Sequence, residues 1–162
     1  MSNFIATFFY VGHLRPAPGT WGSLAALPAA AILYALGGPY AVVVALAVVY
    51  ALGLWATTVE TTGQDDHDPS EIVIDEVAGQ WIAVLPVLFG AAANETSLSA
   101  LWPGWVAAFV LFRFFDITKL GPVGWADRRG DATGVMLDDV IAGFFAAVGV
   151  TLLAALYHMV LV

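Results

Sequence analysis

Four acidic residues in two nearly matching contexts are where the sequence first suggests chemistry. Ile74-Asp75-Glu76-Val77 and Leu137-Asp138-Asp139-Val140 each set two carboxylates side by side, and each is followed by a glycine, Gly79 or Gly143, that permits close helix approach. An acidic pair opening a helix has an ordinary explanation in the helix dipole, worth a few tenths to about 1 kcal/mol. That accounts for one carboxylate. It does not account for seven acids between Glu60 and Glu76 (Glu60, Asp65, Asp66, Asp68, Glu71, Asp75, Glu76) with no Lys or Arg among them. Such a run is costly through mutual repulsion unless a cation neutralises it, and oxygen-rich clusters select hard ions such as Mg²⁺. Asp75, Glu76, Asp138 and Asp139 are therefore expected to form a metal cage.

Two other segments offer groups for an anion. In Gly12-His13-Leu14-Arg15-Pro16-Ala17-Pro18-Gly19-Thr20-Trp21-Gly22-Ser23, a plain helix cap by Thr20 or Ser23 with Trp21 at the membrane interface is the commonplace reading. The alternative is an anion site: Gly19 and Gly22 leave backbone N–H groups accessible, Thr20 and Ser23 add hydroxyls, and Arg15 and His13 add charge. In Arg113-Phe114-Phe115-Asp116-Ile117-Thr118-Lys119 the i,i+3 spacing lets Asp116 pair with either cation on a helix. Arg113 suits bidentate phosphate binding and Lys119 supplies a point charge. A snorkelling Arg113 neutralised by Asp116 is the bland alternative.

The elements that must position these groups follow from composition. Of 162 residues, 60% are apolar and 11% charged, against about 45–50% and roughly 25% in soluble domains. A disordered chain and a small water-soluble globule are excluded. One all-α, polytopic membrane domain spanning residues 1–162 is expected. Charge-free blocks over Pro39–Val59 and Val140–Val162 have spanning length, since 21 helical residues cover about 31 Å of a hydrocarbon core of about 30 Å. Thr20–Leu36 (with Pro28 as a kink), Val77–Ala93 and Leu101–Thr118 complete about five spans. Gly37-Gly38-Pro39 and Asn94–Ser99 read as the turns between them. Met1–Val11, rich in Phe and Tyr, is too short to span and reads as an interfacial helix.

With five spans, fifteen of the eighteen charged residues fall in segments on one side, Arg113 and Asp116 lie within the Leu101–Thr118 span near its end on that side, and Glu95 alone is opposite, so all five basic residues lie on or toward the crowded side. That side is expected to be cytoplasmic by the positive-inside tendency. The net charge of −8 argues against nucleic acid as a partner. The absence of cysteine excludes thiolate metal sites, disulfides and cysteine nucleophiles.

Taken together, His13-Leu14-Arg15 with Pro18-Gly19-Thr20-Trp21-Gly22-Ser23, Ile74-Asp75-Glu76 with Gly79, and Phe112–Lys119 with Gly134–Gly143 resemble the bacterial phosphatidylglycerophosphatase A family. The blocks occur in family order from residue 13 to 143. Leu120 departs from the proline usual after the lysine. The resemblance implies a Mg²⁺-dependent enzyme of the bacterial inner membrane that converts phosphatidylglycerophosphate to phosphatidylglycerol and inorganic phosphate. On that reading Asp75, Glu76, Asp138 and Asp139 hold the metal. Arg113 and Lys119 grip the phosphoryl group, with Asp116 orienting them. Arg15, Thr20 and Ser23 close the pocket, and His13 protonates the leaving glycerol. The alternative from another class is a small transporter or cation channel component with an acidic funnel. It fits less well, because conduction sites usually lie near the midplane.

Overall fold

Every secondary-structure element among the described residues is helical. The structure is a computed structural model that describes all residues except Asp65 and Val162, and the side chain of Leu161 is likewise not described. Asp65 in the acidic run and Val162 at the end of the last apolar block thus lie outside the described residues. The chain runs α1 (Ser2–Ala6), a single 3₁₀ turn (Val11–His13), α2 (Pro18–Thr61), α3 (Ile74–Ala93), α4 (Trp102–Thr118), α5 (Pro122–Asp127) and α6 (Ala132–Leu161).

Local chemistry sets these boundaries. Prolines stand in the first turns of α2, α4 and α5, where a missing N–H costs nothing. Helix α4 ends at Lys119, which adopts the left-handed conformation (φ 50°, ψ 40°). Asp131 precedes α6 and accepts a 2.7 Å hydrogen bond from the Gly134 N–H, a side-chain N-cap. Helix α6 therefore begins earlier than expected, and Asp138 and Asp139 sit in its second turn. The dipole argument made for both acidic pairs applies only to Asp75 and Glu76, in the first turn of α3. The N-terminal helix is also shorter than expected. It ends at Ala6 because Phe8, Phe9 and Tyr10 all have positive φ, incompatible with helix continuation.

Helix α2 would measure about 66 Å if straight, twice the hydrocarbon thickness. It is broken at Gly37 and Gly38, the latter with φ 67° and ψ −165°, a backbone region essentially reserved for glycine. Beyond this point the chain turns back. A Cβ placed on Gly22 would lie 2.8 Å from Val73 Cβ, and one on Gly53 would lie 3.2 Å from Ile74 Cγ1. Both arms of α2 thus reach the level where α3 begins. The backbone dihedrals of the first arm stay helical through Pro28. The neighbouring turn is braced by α3, where Trp81 Nε1 donates to the Ala26 carbonyl at 2.8 Å.

Helices α2, α3 and α6 are long and apolar enough to cross a bilayer. Helix α4, expected as a span over Leu101–Thr118, has 17 residues and carries Arg113 and Asp116. Large apolar side chains such as Ile32, Leu36, Val44 and Leu152 face outward, as a hydrocarbon environment requires, and the chain is membrane-associated. Helix α3 lies at the centre, with Val77, Ala78, Gln80, Ala83 and Val84 fully buried. It packs against α6 through backbone. A Cβ on Gly79 would fall 2.6 Å from the Asp139 carbonyl oxygen and against the Phe112 ring, and one on Gly143 would strike the Gly79 carbonyl. The two glycines do permit close approach, as expected of them.

A β-branched side chain at Gly79 must separate α3 from α6. Gly79→Val is expected to destabilise the protein by about 1–3 kcal/mol, read as a lowered melting temperature in detergent. Gly90→Ala, in the same helix with open space around it, should leave the melting temperature unchanged or raise it slightly.

Candidate active site

Four helix ends and one loop meet around a cavity of about 340 Å³. The start of α2 contributes Gly19 and Thr20, the first turn of α3 contributes Asp75 and Glu76, and the end of α4 contributes Arg113, Asp116 and Lys119. The second turn of α6 contributes Asp138 and Asp139, and the loop before α3 contributes Asp68 and Ser70. The acidic pairs of α3 and α6 are thus brought to one place and to one end of the helices.

Asp75, Glu76 and Asp139 each present a carboxylate oxygen within 4.8 Å of the others. The two pairs share a local device: the Glu76 N–H donates to Asp75 Oδ1 and the Asp139 N–H donates to Asp138 Oδ1, both at 2.9 Å. Asp75 and Asp139 are buried, and Glu76 Oε2 is buried without a hydrogen-bond partner. Two like charges about 4 Å apart repel by about 4 kcal/mol at an effective dielectric of 20. The trio therefore needs positive charge that the chain supplies only in part. Arg113 Nη1 lies 2.6 Å from Asp116 Oδ2 and 3.9 Å from Glu76 Oε1. One guanidinium shared between two carboxylates does not neutralise the cluster.

Asp138 is placed differently from its neighbour. Its Oδ2 lies 2.5 Å from Lys119 Nζ, which also contacts Asp127 Oδ1 at 2.7 Å. Burial works against the charge on Lys119, but the two carboxylates outweigh it and raise the ammonium above the usual lysine range. The cation is thereby fixed at the cavity wall.

The glycine-rich start of α2 follows from steric necessity. A Cβ on Gly19 would collide with Glu76 Oε1 and come within 3.2 Å of Arg113 Nη1. Thr20 lines the cavity, whereas Ser23 is fully buried beneath it. The Ser23 hydroxyl donates to the Gly19 carbonyl at 2.8 Å and accepts from Arg113 Nη1 at 3.4 Å. Ser23 thus anchors Arg113. Arg15 and His13 are not brought into the cavity. Arg15 lies outside it, donating to Ser70 Oγ at 3.0 Å with Glu71 at 3.9 Å. The exposed His13 ring stacks on Tyr10, with centroids 5.9 Å apart.

Asp68, Ser70 and Asp127 were not among the site residues expected from the sequence. Asp127 is recognisable only once the α5 turn folds it back onto Lys119. Asp68 carried a usable signal, as one acid of the run from Glu60 to Glu76, but the run does not show which members face inward. Partial desolvation raises the Asp68 carboxyl above the ordinary carboxylate range, reinforced by Asp127, Asp66 and Asp116 and opposed by Lys119.

Comparison with known proteins fits this arrangement. The family model described as phosphatidylglycerophosphatase A matches residues 4–154. The chain belongs to the phosphatidylglycerophosphatase A family. A phosphatidylglycerophosphatase A of Haemophilus influenzae is 36% identical over 147 residues, covering 90% of this chain and 84% of that protein. One of Escherichia coli is 36% identical over 153 residues, covering 91% and 81%. A Bacteroides thetaiotaomicron protein, provisionally named a phosphatidylinositol-3-phosphatase, is also 36% identical, over 154 residues covering 88% and 86%. No solved structure matches the chain. As a member of the phosphatidylglycerophosphatase A family the chain is an enzyme of the phosphatase class, and the blocks around Gly19, Asp75, Arg113 and Asp139 all fall inside the matched region.

Lys119 joins α4 to α5 and α6 through Asp138 and Asp127, so its loss removes a cavity cation and leaves two acids uncompensated. Lys119→Met is expected to lower phosphate release by at least about 10²-fold while far-ultraviolet circular dichroism shows helix content preserved.

Proposed function

We propose that the protein is a Mg²⁺-dependent phosphatase that removes the terminal phosphate of phosphatidylglycerophosphate, yielding phosphatidylglycerol and inorganic phosphate. The observation that carries this reading is the carboxylate trio Asp75–Glu76–Asp139 lying in one cavity with Arg113 and Lys119. Acidic and basic groups in one small space suit a phosphomonoester that arrives with a divalent cation. The donor set fits Mg²⁺: all ligands are hard oxygens, and Glu76 Oε2 is a buried acceptor with nothing to accept from. Asp75, Glu76 and Asp139 would hold the ion. Asp138, the fourth expected ligand, lies in the same cavity and holds Lys119.

When bound, Mg²⁺ supplies Lewis-acid neutralisation of phosphate charge. The remaining roles belong to the chain. Arg113 and Lys119 bind phosphoryl oxygens, and their charge stabilises the transition state. Asp116 and Ser23 orient the Arg113 guanidinium. The Thr20 hydroxyl and the free N–H groups at the start of α2 donate to the remaining oxygens. Because the cavity lies at helix ends, the acyl chains stay in the bilayer while the headgroup enters. The Bacteroides relative's name points to the same bond class on a different headgroup, which favours testing several lipids.

The site is proposed to face the cytoplasm across a bacterial inner membrane. Of the five basic residues, Arg113 and Lys119 line the cavity and Arg15 holds Ser70 beside it, in keeping with the positive-inside tendency.

Purified protein is expected to release phosphate from phosphatidylglycerophosphate faster than from phosphatidic acid or a soluble phosphomonoester. EDTA should abolish the activity and added Mg²⁺ should restore it. Asp75→Asn and Asp139→Asn should each reduce release by about 10³-fold or more in a protein that remains folded. Activity insensitive to chelation, or near-normal turnover in both variants, overturns the metal reading. No release from phosphatidylglycerophosphate overturns the substrate.

A further inference from the structure

Hydrolysis of a glycerol phosphate leaves an alkoxide, which departs readily only if it receives a proton. His13, the group the sequence suggested for this step, is exposed and outside the cavity. We propose that Asp68 is the general acid that protonates the leaving glycerol oxygen.

Among the described residues six carboxylates line the cavity, and their surroundings separate them by role. Asp116 and Asp138 are engaged by Arg113 and Lys119, and Asp75, Glu76 and Asp139 form the close trio. Asp68 is the remaining one. Among the described residues its side chain makes no hydrogen bond or ion pair; its backbone N–H donates to Asp66 Oδ1 at 3.0 Å, which shapes the turn it sits on. It lies in the loop before α3, lining the cavity while open to solvent. A general acid needs that combination: contact with the leaving group on one side and water for reprotonation on the other. The elevated carboxyl pKa caused by its surroundings favours the protonated form it must start from.

The loop is held rather than loose. The Val73 N–H donates to the Ala6 carbonyl at 2.9 Å, Arg15 donates to Ser70 Oγ, and Gly12 lies so close to the Glu71 backbone that a Cβ there would collide. Arg15 is accordingly a positioning residue for this loop. In the step itself, water oxygen bonds to phosphorus as the phosphorus–oxygen bond to glycerol breaks. The electron pair of that bond stays on the glycerol oxygen, which takes the Asp68 proton. The proton released by the attacking water passes to solvent, and the Asp68 carboxylate regains a proton from solvent.

This assignment rests on the phosphomonoester reading, and a bridging-sulfur analogue of phosphatidylglycerophosphate separates the two. A thiolate leaves without protonation, so the analogue has no need of the acid. Asp68→Asn is expected to slow kcat on the oxygen substrate by about 10²–10³-fold, yet to stay within about three-fold of wild type on the sulfur analogue, with unchanged half-saturating Mg²⁺. Turnover of the analogue also reports that the variant is folded. Equal loss on both substrates, or no loss on the oxygen substrate, overturns the role of Asp68. Wild-type protein that releases nothing from the oxygen substrate overturns the function reading and this assignment with it.

Discussion

Everything at the cavity depends on the backbone contact between α3 and α6. Three carboxylates come within 4.8 Å of one another only because two helices touch without intervening side chains, and they do so because residues 79 and 143 are glycine. The electrostatic cost of gathering those acids is met by packing that nothing larger than hydrogen would allow. Van der Waals contact between helices, rather than hydrophobic burial, is the force available for this inside a bilayer. The placement of Phe112, whose ring covers Gly79 from α4, completes the seam from a third helix.

Around that seam the basic residues do not simply oppose the acids; they are distributed. Arg113 bridges Asp116 and Glu76 while resting on Ser23. Lys119 bridges Asp138 and Asp127. Each cation ties together elements distant in sequence, so electrostatics and tertiary structure are one network. Removing the cation from the better-buried contacts, Arg113 with Asp116 and Lys119 with Asp138, leaves a carboxylate uncompensated, which is more costly than never having had the pair. The left-handed backbone at Lys119 belongs to the same design, since it ends α4 where the side chain must reach both acids.

Much of this was legible in the sequence. The apolar blocks, the turn at Gly37 and Gly38, the paired acids and the basic residues of α4 all carry strong local signatures, and the family blocks joined them in order. The depth of residues within a loop carries no such signature. Periodicity cannot say that Asp68 turns inward while Glu71 turns toward Arg15, because a loop has no fixed angular step. Asp138 and Asp139 looked equivalent as neighbours, yet adjacent residues on a helix point about 100° apart, so one met Lys119 and the other the trio. His13 and Arg15 lie outside the cavity for a related reason: adjacency to Gly19 and Thr20 in sequence says little when the backbone between them is extended at Leu14 and non-helical at Ala17.

The reversal of α2 at Gly37 and Gly38 has a mechanical consequence. One arm begins at the wall bearing Thr20, and the other runs on into the segment bearing Asp68, so these two parts of the rim are linked through a bend at the opposite end of the molecule. The floor is built separately, from the tight junction of α3 with α6. Both arms also rest on the start of α3, through Gly22 against Val73 and Gly53 against Ile74, so the two parts of the rim are keyed to the same helix that carries Asp75 and Glu76.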